Sequence, residues 1–124
     1  MSLSFTIPGP PRTKKNHGFR TKSGKQMPSH AFAEWNSAAQ IHLLEIRRRL
    51  FPAGATFYPV NCRALFYRDA NRGDAVGYYQ ALADALEEAR IVHNDSLIVS
   101  WDGSRILKDA ANPRIEVTIE SVGG

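Results

Sequence analysis

Two stretches of the chain place apolar residues three or four positions apart, which is the spacing of an amphipathic helix. The first begins after Ser29, a residue that can cap a helix, and continues without a proline until Pro52. The second begins at Asp74 and runs to about Arg90. The pattern predicts two main helices with these inner faces: Phe32, Trp35, Ala39, Leu43, Ile46 and Leu50 in the first, and Val76, Tyr79, Leu82, Ala83 and Leu86 in the second.

Four other stretches have the alternating or continuous apolar pattern of strands. They cover residues 3–7, 57–67, 96–101 and 113–122. Taken in chain order, the elements are strand, helix, strand, helix, strand and strand. This order predicts one small domain of α/β (α+β) class over residues 1–124, with a mixed β-sheet of about four strands and the two main helices.

The composition excludes several classes of protein. With 124 residues, 43% hydrophobic and 23% charged, the chain has the composition of one globular domain. Its single cysteine, Cys62, allows no intrachain disulfide, and no apolar run reaches the roughly 18 residues that span a bilayer. The N-terminus has no basic flank followed by an apolar stretch, so we expect a cytoplasmic protein without a membrane partner. The sequence also lacks a phosphate-binding glycine loop, and we expect no organic cofactor. It has no paired cysteines for zinc.

The charges are distributed unevenly along the chain. Lys and Arg number 16 against 12 Asp and Glu, for a net charge of +4, yet residues 1–33 carry +6 and no acid precedes Glu34. The cations fall in a proline- and glycine-rich loop predicted over residues 9–28, for which an ordered and a mobile state are both open. A basic arm on a slightly acidic body indicates a polyanionic partner, with a solubilising terminus as the alternative. The six cations are Arg12, Lys14, Lys15, Arg20, Lys22 and Lys25.

Carboxylates are the side chains from which a metal-dependent nuclease site is built, because they hold a divalent cation that activates water and neutralises phosphate charge. Asp69 and Asp74 flank the start of the second predicted helix, and Asp95 precedes the following strand. Asp84 and Asp102 complete the set of candidates. Each has a structural explanation as well, since Asp74 is a good helix cap and Asp102 a good turn residue. Spacing alone leaves both roles open.

Three segments of the sequence resemble the RusA-like Holliday junction resolvases, which are small phage-type endonucleases of about this length. FTIPGPP, at residues 5–11, is similar to the family's first strand. RGDAVGYYQALADALEEARIVHNDSLIV, from Arg72 to Val99, is similar to the family core, and PRIEVTIE, at residues 113–120, is similar to its last strand. The resemblance implies a twofold homodimer that cuts branched DNA in recombination or repair, with Mg2+ or Mn2+ as the cofactor.

The family core begins R-x-D-x-D-N, continues with a lysine and then a further aspartate in the same helix, and is followed by a loop with two consecutive aspartates. In that register the first aspartate falls on Asp74, the helix aspartate on Asp84 and the second loop aspartate on Asp95. The resemblance therefore implies that Asp74 and Asp95 are catalytic residues and metal ligands, with Asp69 or Asp102 as a candidate third ligand. We expect the DNA phosphates to be contacted by Lys14, Lys15, Arg20, Lys22, Lys25 and Arg72.

Four positions depart from the family pattern. Its second core aspartate falls on Val76, its asparagine on Gly77, its lysine on Gln80 and its first loop aspartate on Asn94. The leading hypothesis is a Mg2+-dependent, structure-specific endodeoxyribonuclease with a reduced set of acids. The alternative is a catalytically degenerate relative that binds branched DNA without cleaving it. A module for single strands or RNA is a third hypothesis, for which the sequence offers no ordered aromatic platform.

Overall fold

The computed structural model describes residues 2–14, 19–20, 26–27 and 30–122. It contains two helices, α1 (His30–Leu50) and α2 (Ala75–Glu88), and a short 3-10 helix at Asp95–Leu97. The strands are β1 (Ser2–Pro8), β2 (Phe19–Arg20), β3 (Gln26–Met27), β4 (Val60–Arg68), β5 (Ile98–Ser100), β6 (Arg105–Lys108) and β7 (Arg114–Ser121).

Five of the strands form a mixed sheet in the order β1, β7, β4, β5, with β6 pairing with β4 on the same side as β5. β7 lies antiparallel to both β1 and β4, whereas β5 and β6 run parallel to β4. α2 lies between β4 and β5 in the chain, because parallel neighbours need a long crossover connection. β2 and β3 form a separate antiparallel pair inside the basic loop. A mixed sheet with two helices confirms the predicted fold class.

The core lies between one face of the sheet and the two helices. Every second residue of β4, from Val60 to Phe66, is buried, as the alternating pattern predicts. α1 buries Phe32, Trp35, Ala39, Leu43 and Ile46, which confirms five of the six positions predicted for its inner face, and Leu50 is half-buried. Burial also raises the pKa of the Cys62 thiol to about 12, so this cysteine acts as a small core residue. In the described part of the chain, no helix is both long and apolar enough to cross a membrane.

The inner face of α2 differs from the prediction at one position. Val76 was expected inside, but it is 68% exposed, and Tyr78 is buried in its place. The tyrosine ring packs 5.3 Å from the ring of Phe66, and its hydroxyl donates a 2.6 Å hydrogen bond to the carbonyl of Arg72. Because Tyr78 buries a larger apolar surface and also finds an acceptor, it turns the helix so that Val76 faces solvent.

Four elements were not predicted: β6, the 3-10 helix, β2 and β3. β6 is an edge strand whose side chains are mostly exposed, so its sequence lacks the alternation that identifies a strand. The predicted strand over residues 96–101 is shorter than expected, because the 3-10 helix occupies its first two residues. The loop predicted over residues 9–28 contains β2 and β3.

β5 and β6 lie end to end along the same side of β4, separated by the turn at residues 101–104. The buried hydroxyl of Ser104 spans this gap: it accepts a 2.9 Å hydrogen bond from the N–H of Ala64 and donates one of 3.2 Å to the carbonyl of Cys62. Asn61 holds the turn from the other end, since its Oδ1 accepts a 2.8 Å hydrogen bond from the N–H of Asp102. Polar side chains therefore replace the missing backbone pairing.

Candidate active site

Asp74 lies at the N-terminus of α2 and caps it. Its backbone is extended (φ −117°, ψ 167°), and its Oδ1 accepts a 2.8 Å hydrogen bond from the N–H of Gly77. This contact satisfies one of the free N–H groups of the first helical turn. Asp74 is exposed, and within the described residues its Oδ2 has no hydrogen-bond partner. The residue therefore combines a structural role at one oxygen with an open carboxylate oxygen at the other.

Asp95 is the first residue of the short 3-10 helix. Asn94 caps this helix, since its Oδ1 accepts a 2.9 Å hydrogen bond from the N–H of Ser96. The N–H of Asp95 donates a 2.8 Å hydrogen bond to Oε1 of Glu87 on α2, which ties the 3-10 helix to the end of α2. The side chain of Asp95 itself is exposed and makes no ion pair in the part of the chain that the structure describes. Its carboxylate is available for a ligand.

A shallow cavity of about 280 Å³ lies between Asp95 and α2. The rings of Tyr79 and Trp101 stack on one another there, with centroids 4.7 Å apart and planes only 6° from parallel. Sequence reasoning assigned Tyr79 to the core and gave Trp101 no role, since nothing in the spacing links the two. The cavity is lined by Val76, Tyr79, Gln80, Ala83, Asp95, Ile98 and Trp101. It thus places Asp95 beside the first two turns of α2, which Asp74 caps.

Asp69 is surrounded by arginines. Two parallel hydrogen bonds of 2.9 and 3.0 Å join it to Arg12, and a third of 3.2 Å joins it to Arg72. The hydrogen bond from Arg12 is the main reason why the pKa of Asp69 lies below its ordinary value, and Asp69 raises the pKa of Arg12 in return. The side chains of Arg12 and Asp69 are only 17% and 26% exposed. Both carboxylate oxygens of Asp69 are therefore already occupied.

The segment at residues 11–14, which we term the strap, is held along α2. Arg12 binds Asp69, the buried Thr13 packs on Gly77, and the ammonium of Lys14 lies 2.6 Å from Oδ2 of Asp84. Gly77 allows this close approach, because a Cβ there would lie 2.8 Å from Oδ1 of Asp74 and 3.2 Å from Cγ2 of Thr13. The strap fixes where the basic loop leaves the domain, directly beside the capped end of α2.

The other predicted site residues are placed as follows. Asp102 is exposed in the turn between β5 and β6, where its backbone binds Asn61. Arg20 belongs to β2, but its side chain is not among the described ones. Lys15, Lys22 and Lys25 lie outside the described residues.

Asp74 and Asp95 offer carboxylate oxygens, which are the donors that a hard divalent cation prefers. Among the described residues no group of three or more His, Cys, Asp or Glu side chains is arranged to hold a metal. Mg2+, however, is usually bound by one or two carboxylates, with water and substrate phosphates as its other ligands. Asp74, through Oδ2, and Asp95 supply that number of carboxylates without breaking an existing ion pair.

A small α+β domain with exposed carboxylates beside a basic segment is the class of protein expected to act on nucleic-acid phosphates. The family model for endodeoxyribonuclease RusA matches residues 8–120, which is nearly the whole chain. The protein therefore belongs to the RusA endodeoxyribonuclease family, a family of Holliday junction resolvases, and the resemblance seen in the sequence is confirmed. No curated protein gives a significant match to the chain.

Proposed function

We propose that the protein is a Mg2+-dependent, structure-specific endonuclease that cuts branched DNA, acting in the cytoplasm as a twofold homodimer. The observation that carries the proposal is the difference between the acids around α2. Asp69 and Asp84 are bound by cations of the strap, whereas Asp74 and Asp95 each keep carboxylate oxygen without an ion pair. A metal site needs such free acids, because a carboxylate neutralised by arginine has lost most of its attraction for a second cation.

Asp74 and Asp95 would hold the metal, which when bound supplies an activated water and neutralises charge on the phosphate. Mn2+ would suit the same oxygen donors. Oδ1 of Asp74 stays on the N–H of Gly77, so the cap fixes the direction of the remaining oxygen. Asp69 or Asp102 was the expected third ligand. We propose instead that the substrate phosphate completes the coordination, since Asp69 is occupied by Arg12 and Arg72.

The strap and the basic loop would bind the DNA backbone. The side chains of Lys14 and Arg72 are 42% and 40% exposed, so each can exchange its present carboxylate partner for a phosphate. We propose the same role for Lys15, Arg20, Lys22 and Lys25 of the loop. These contacts carry no sequence information, so binding should follow the shape of the junction and weaken steeply with salt.

A second candidate function is binding of branched DNA without cleavage. It is favoured by Val76 and Gln80, which stand where the resemblance implies an acid and a cation. Val76 is 68% exposed and lines the same cavity as Asp95, so an acid at this position would meet solvent and would not be forced into the core. The chain therefore lacks an acid at position 76, although the structure leaves room for one there.

Incubation of a labelled four-way junction with Mg2+ distinguishes the two functions. If the protein is an active nuclease, it cuts, and Asp74→Asn abolishes cutting while leaving junction binding intact or tighter. Asn keeps the oxygen that accepts from Gly77 and is itself a good cap, so the fold is retained. If the wild type binds but does not cut, and the double variant Val76→Asp/Gln80→Lys does cut, the second candidate is correct. Cutting that survives Asp74→Asn together with Asp95→Asn would contradict the proposed site.

A further inference from the structure

The cavity beside Asp95, which we term the Trp101 cavity, has an aromatic wall that the proposed cleavage chemistry does not use. Tyr79 and Trp101 stack there almost in parallel, and both are only half-buried, so part of their ring surface is open to the cavity. Flat aromatic surface of this kind is what proteins that bind single strands offer to unpaired bases. The wall therefore has the chemistry of a stacking site for a nucleobase.

The two rings are held in place by the fold. Tyr79 also packs against the core ring of Phe66, with centroids 5.9 Å apart. Trp101 begins the turn that ends at Ser104, and its carbonyl accepts a 3.1 Å hydrogen bond from the N–H of that buried serine. A wall that is already fixed loses little conformational freedom when a ligand stacks on it, and this favours binding.

The rest of the cavity suits the edge of a base better than a phosphate. Val76, Ala83 and Ile98 add apolar surface, and no Lys or Arg is among the described residues that line it. Gln80 contributes an amide, which is exposed and makes no hydrogen bond within the part of the chain that the structure describes. Because an amide both donates and accepts, it can pair with the polar edge of any base.

We propose that the Trp101 cavity binds one unpaired nucleobase at the branch point of the DNA, stacked on Trp101 and Tyr79. The proposal rests on the proposed function, because it takes the ligand from the branched DNA on which the family acts. In an intact duplex every base is stacked on both faces and unstacking it costs free energy, whereas a base that is already unpaired costs least. The cavity would therefore favour branched DNA over linear duplex and bring the adjoining phosphate toward Asp95.

Affinities for an immobile four-way junction and for a linear duplex of the same length, both measured without added metal, test this preference. Trp101→Leu should weaken junction binding by between about 5- and 150-fold, the range for loss of one base–aromatic stack. Binding of the duplex should change by less than about twofold, because it depends on phosphate contacts. Trp101→Phe keeps a ring and should retain most of the junction affinity. An equal loss for both DNAs in Trp101→Leu would overturn the proposal.

Phe57→Leu is the matched control. Phe57 is 68% exposed and stacks on His93 with centroids 4.4 Å apart, yet it does not line the Trp101 cavity. Its loss should leave both affinities unchanged. A control as damaging to junction binding as Trp101→Leu would mean that the cavity has no special role, and the proposal would fail.

Junctions that lack one base at the branch point separate stacking from a merely structural role of Trp101. The abasic nucleotide is placed in turn at each position that flanks the branch, in symmetric pairs. At the position that enters the cavity, removal of the base should weaken wild-type binding about as much as Trp101→Leu does. Combining the two changes should add little, because both remove the same contact. Losses that add at every position would show that Trp101 acts through the fold alone.

A photoreactive base locates the contact in the unaltered protein. Iododeoxyuridine at the responsive position should cross-link to Trp101 or Tyr79 on irradiation, and the same base in the middle of an arm should not. Peptide mapping identifies the attached residue. A cross-link from the branch point to residues outside the cavity would contradict the assignment.

None of these measurements requires cleavage, so the base site and the nuclease can fail separately. A protein that binds junctions through Trp101 but does not cut them with Mg2+ would contradict the nuclease and support the base site. A protein that cuts junctions, and whose junction affinity is unchanged by Trp101→Leu, would support the nuclease and overturn the base site.

Discussion

Asp69 precedes α2 in the chain and Asp95 follows it, and the surroundings of the two acids differ in kind. Asp69 is half-buried and makes three hydrogen bonds with two arginines, which hold its pKa below the ordinary value. Asp95 is exposed beside a mainly apolar cavity. Its backbone N–H is bound by Glu87 and its carbonyl by the N–H of Ile98, whereas its carboxylate makes no ion pair among the described residues. The same residue type therefore anchors the strap before α2 and offers a free carboxylate after it. Because arginines bind Asp69, only Asp95 of the two has a carboxylate available to bind a ligand.

The largest effect should separate the two acids in catalysis. If the protein cuts junctions, Asp95→Asn should lower the cleavage rate by at least about 100-fold, because a bound metal contributes several kcal/mol to charge stabilisation and each 1.36 kcal/mol is tenfold in rate. Asp69→Asn makes the same chemical change at an occupied carboxylate and should cost less than tenfold. Single-turnover cleavage at saturating protein measures both. An equal loss of cleavage rate in the two variants would mean that Asp69 also binds the metal. That result would contradict the proposed difference between Asp69 and Asp95.

The next effect concerns Gly77, on which Thr13 of the strap packs beside Asp74. Gly77→Ala should lower the free energy of unfolding by about 1–3 kcal/mol, because its Cβ would press on Oδ1 of Asp74 and on Thr13. The sign is opposite to that of an ordinary helical glycine, where alanine stabilises by roughly 1 kcal/mol. Urea denaturation measures the change. Adding Thr13→Ser removes the Cγ2 contact and should restore part of the loss.

Removal of Arg12 should have a smaller effect on stability. Arg12→Ala deletes two charge-assisted hydrogen bonds in a partly buried pair and should lower the free energy of unfolding by about 1–2 kcal/mol. Arg72→Ala is the matched control, since it removes one longer contact to the same carboxylate from a more exposed side chain. It should cost less. The reverse order would show that the strap is not anchored at Asp69.

The smallest effect is a pH dependence. The folded pKa of Asp69 is lowered, so this residue stabilises the fold above its ordinary pKa of about 3.8 and loses that contribution as the pH falls through the folded value. Below about pH 4, the wild type should therefore lose stability more steeply than Asp69→Asn. Denaturation midpoints at pH 6, 4 and 3 measure the difference. Parallel curves would contradict the pairing with Arg12.

Periodicity predicted the elements whose inner residues repeat cleanly. The buried stripe of α1 and the alternation in β4 and β7 are examples, because their apolar side chains have to face one core. The prediction that Val76 is buried was wrong. Tyr78 is buried instead, and its hydrogen bond to Arg72 cannot be predicted from the apolar pattern of the helix. β6 was not predicted because backbone hydrogen bonds to β4, and not an apolar pattern of its own, hold it in the sheet.

The candidate site could be predicted in its residue types but not in its pairings. Asp74 as a cap follows from the sequence, and the structure confirms it. The pairing of Asp69 with Arg12 joins residues 57 positions apart, and that of Lys14 with Asp84 joins residues that only the strap brings together. A prediction made from one residue at a time assumes that no acid or cation has an ion-pair partner. Which ones stay free is a property of the folded chain.

The interrupted side of the sheet has a consequence for behaviour at high concentration. An unbroken outer strand presents a row of unpaired N–H and C=O groups, onto which another extended chain can add and start aggregation. Here the turn held by Asn61 and Ser104 divides that row into one piece of three residues and one of four. Neither piece is long enough to template a stable pairing on its own. The turn that separates β5 from β6 thus limits strand addition along this side of the sheet, and it does so with two polar side chains, Asn61 and Ser104.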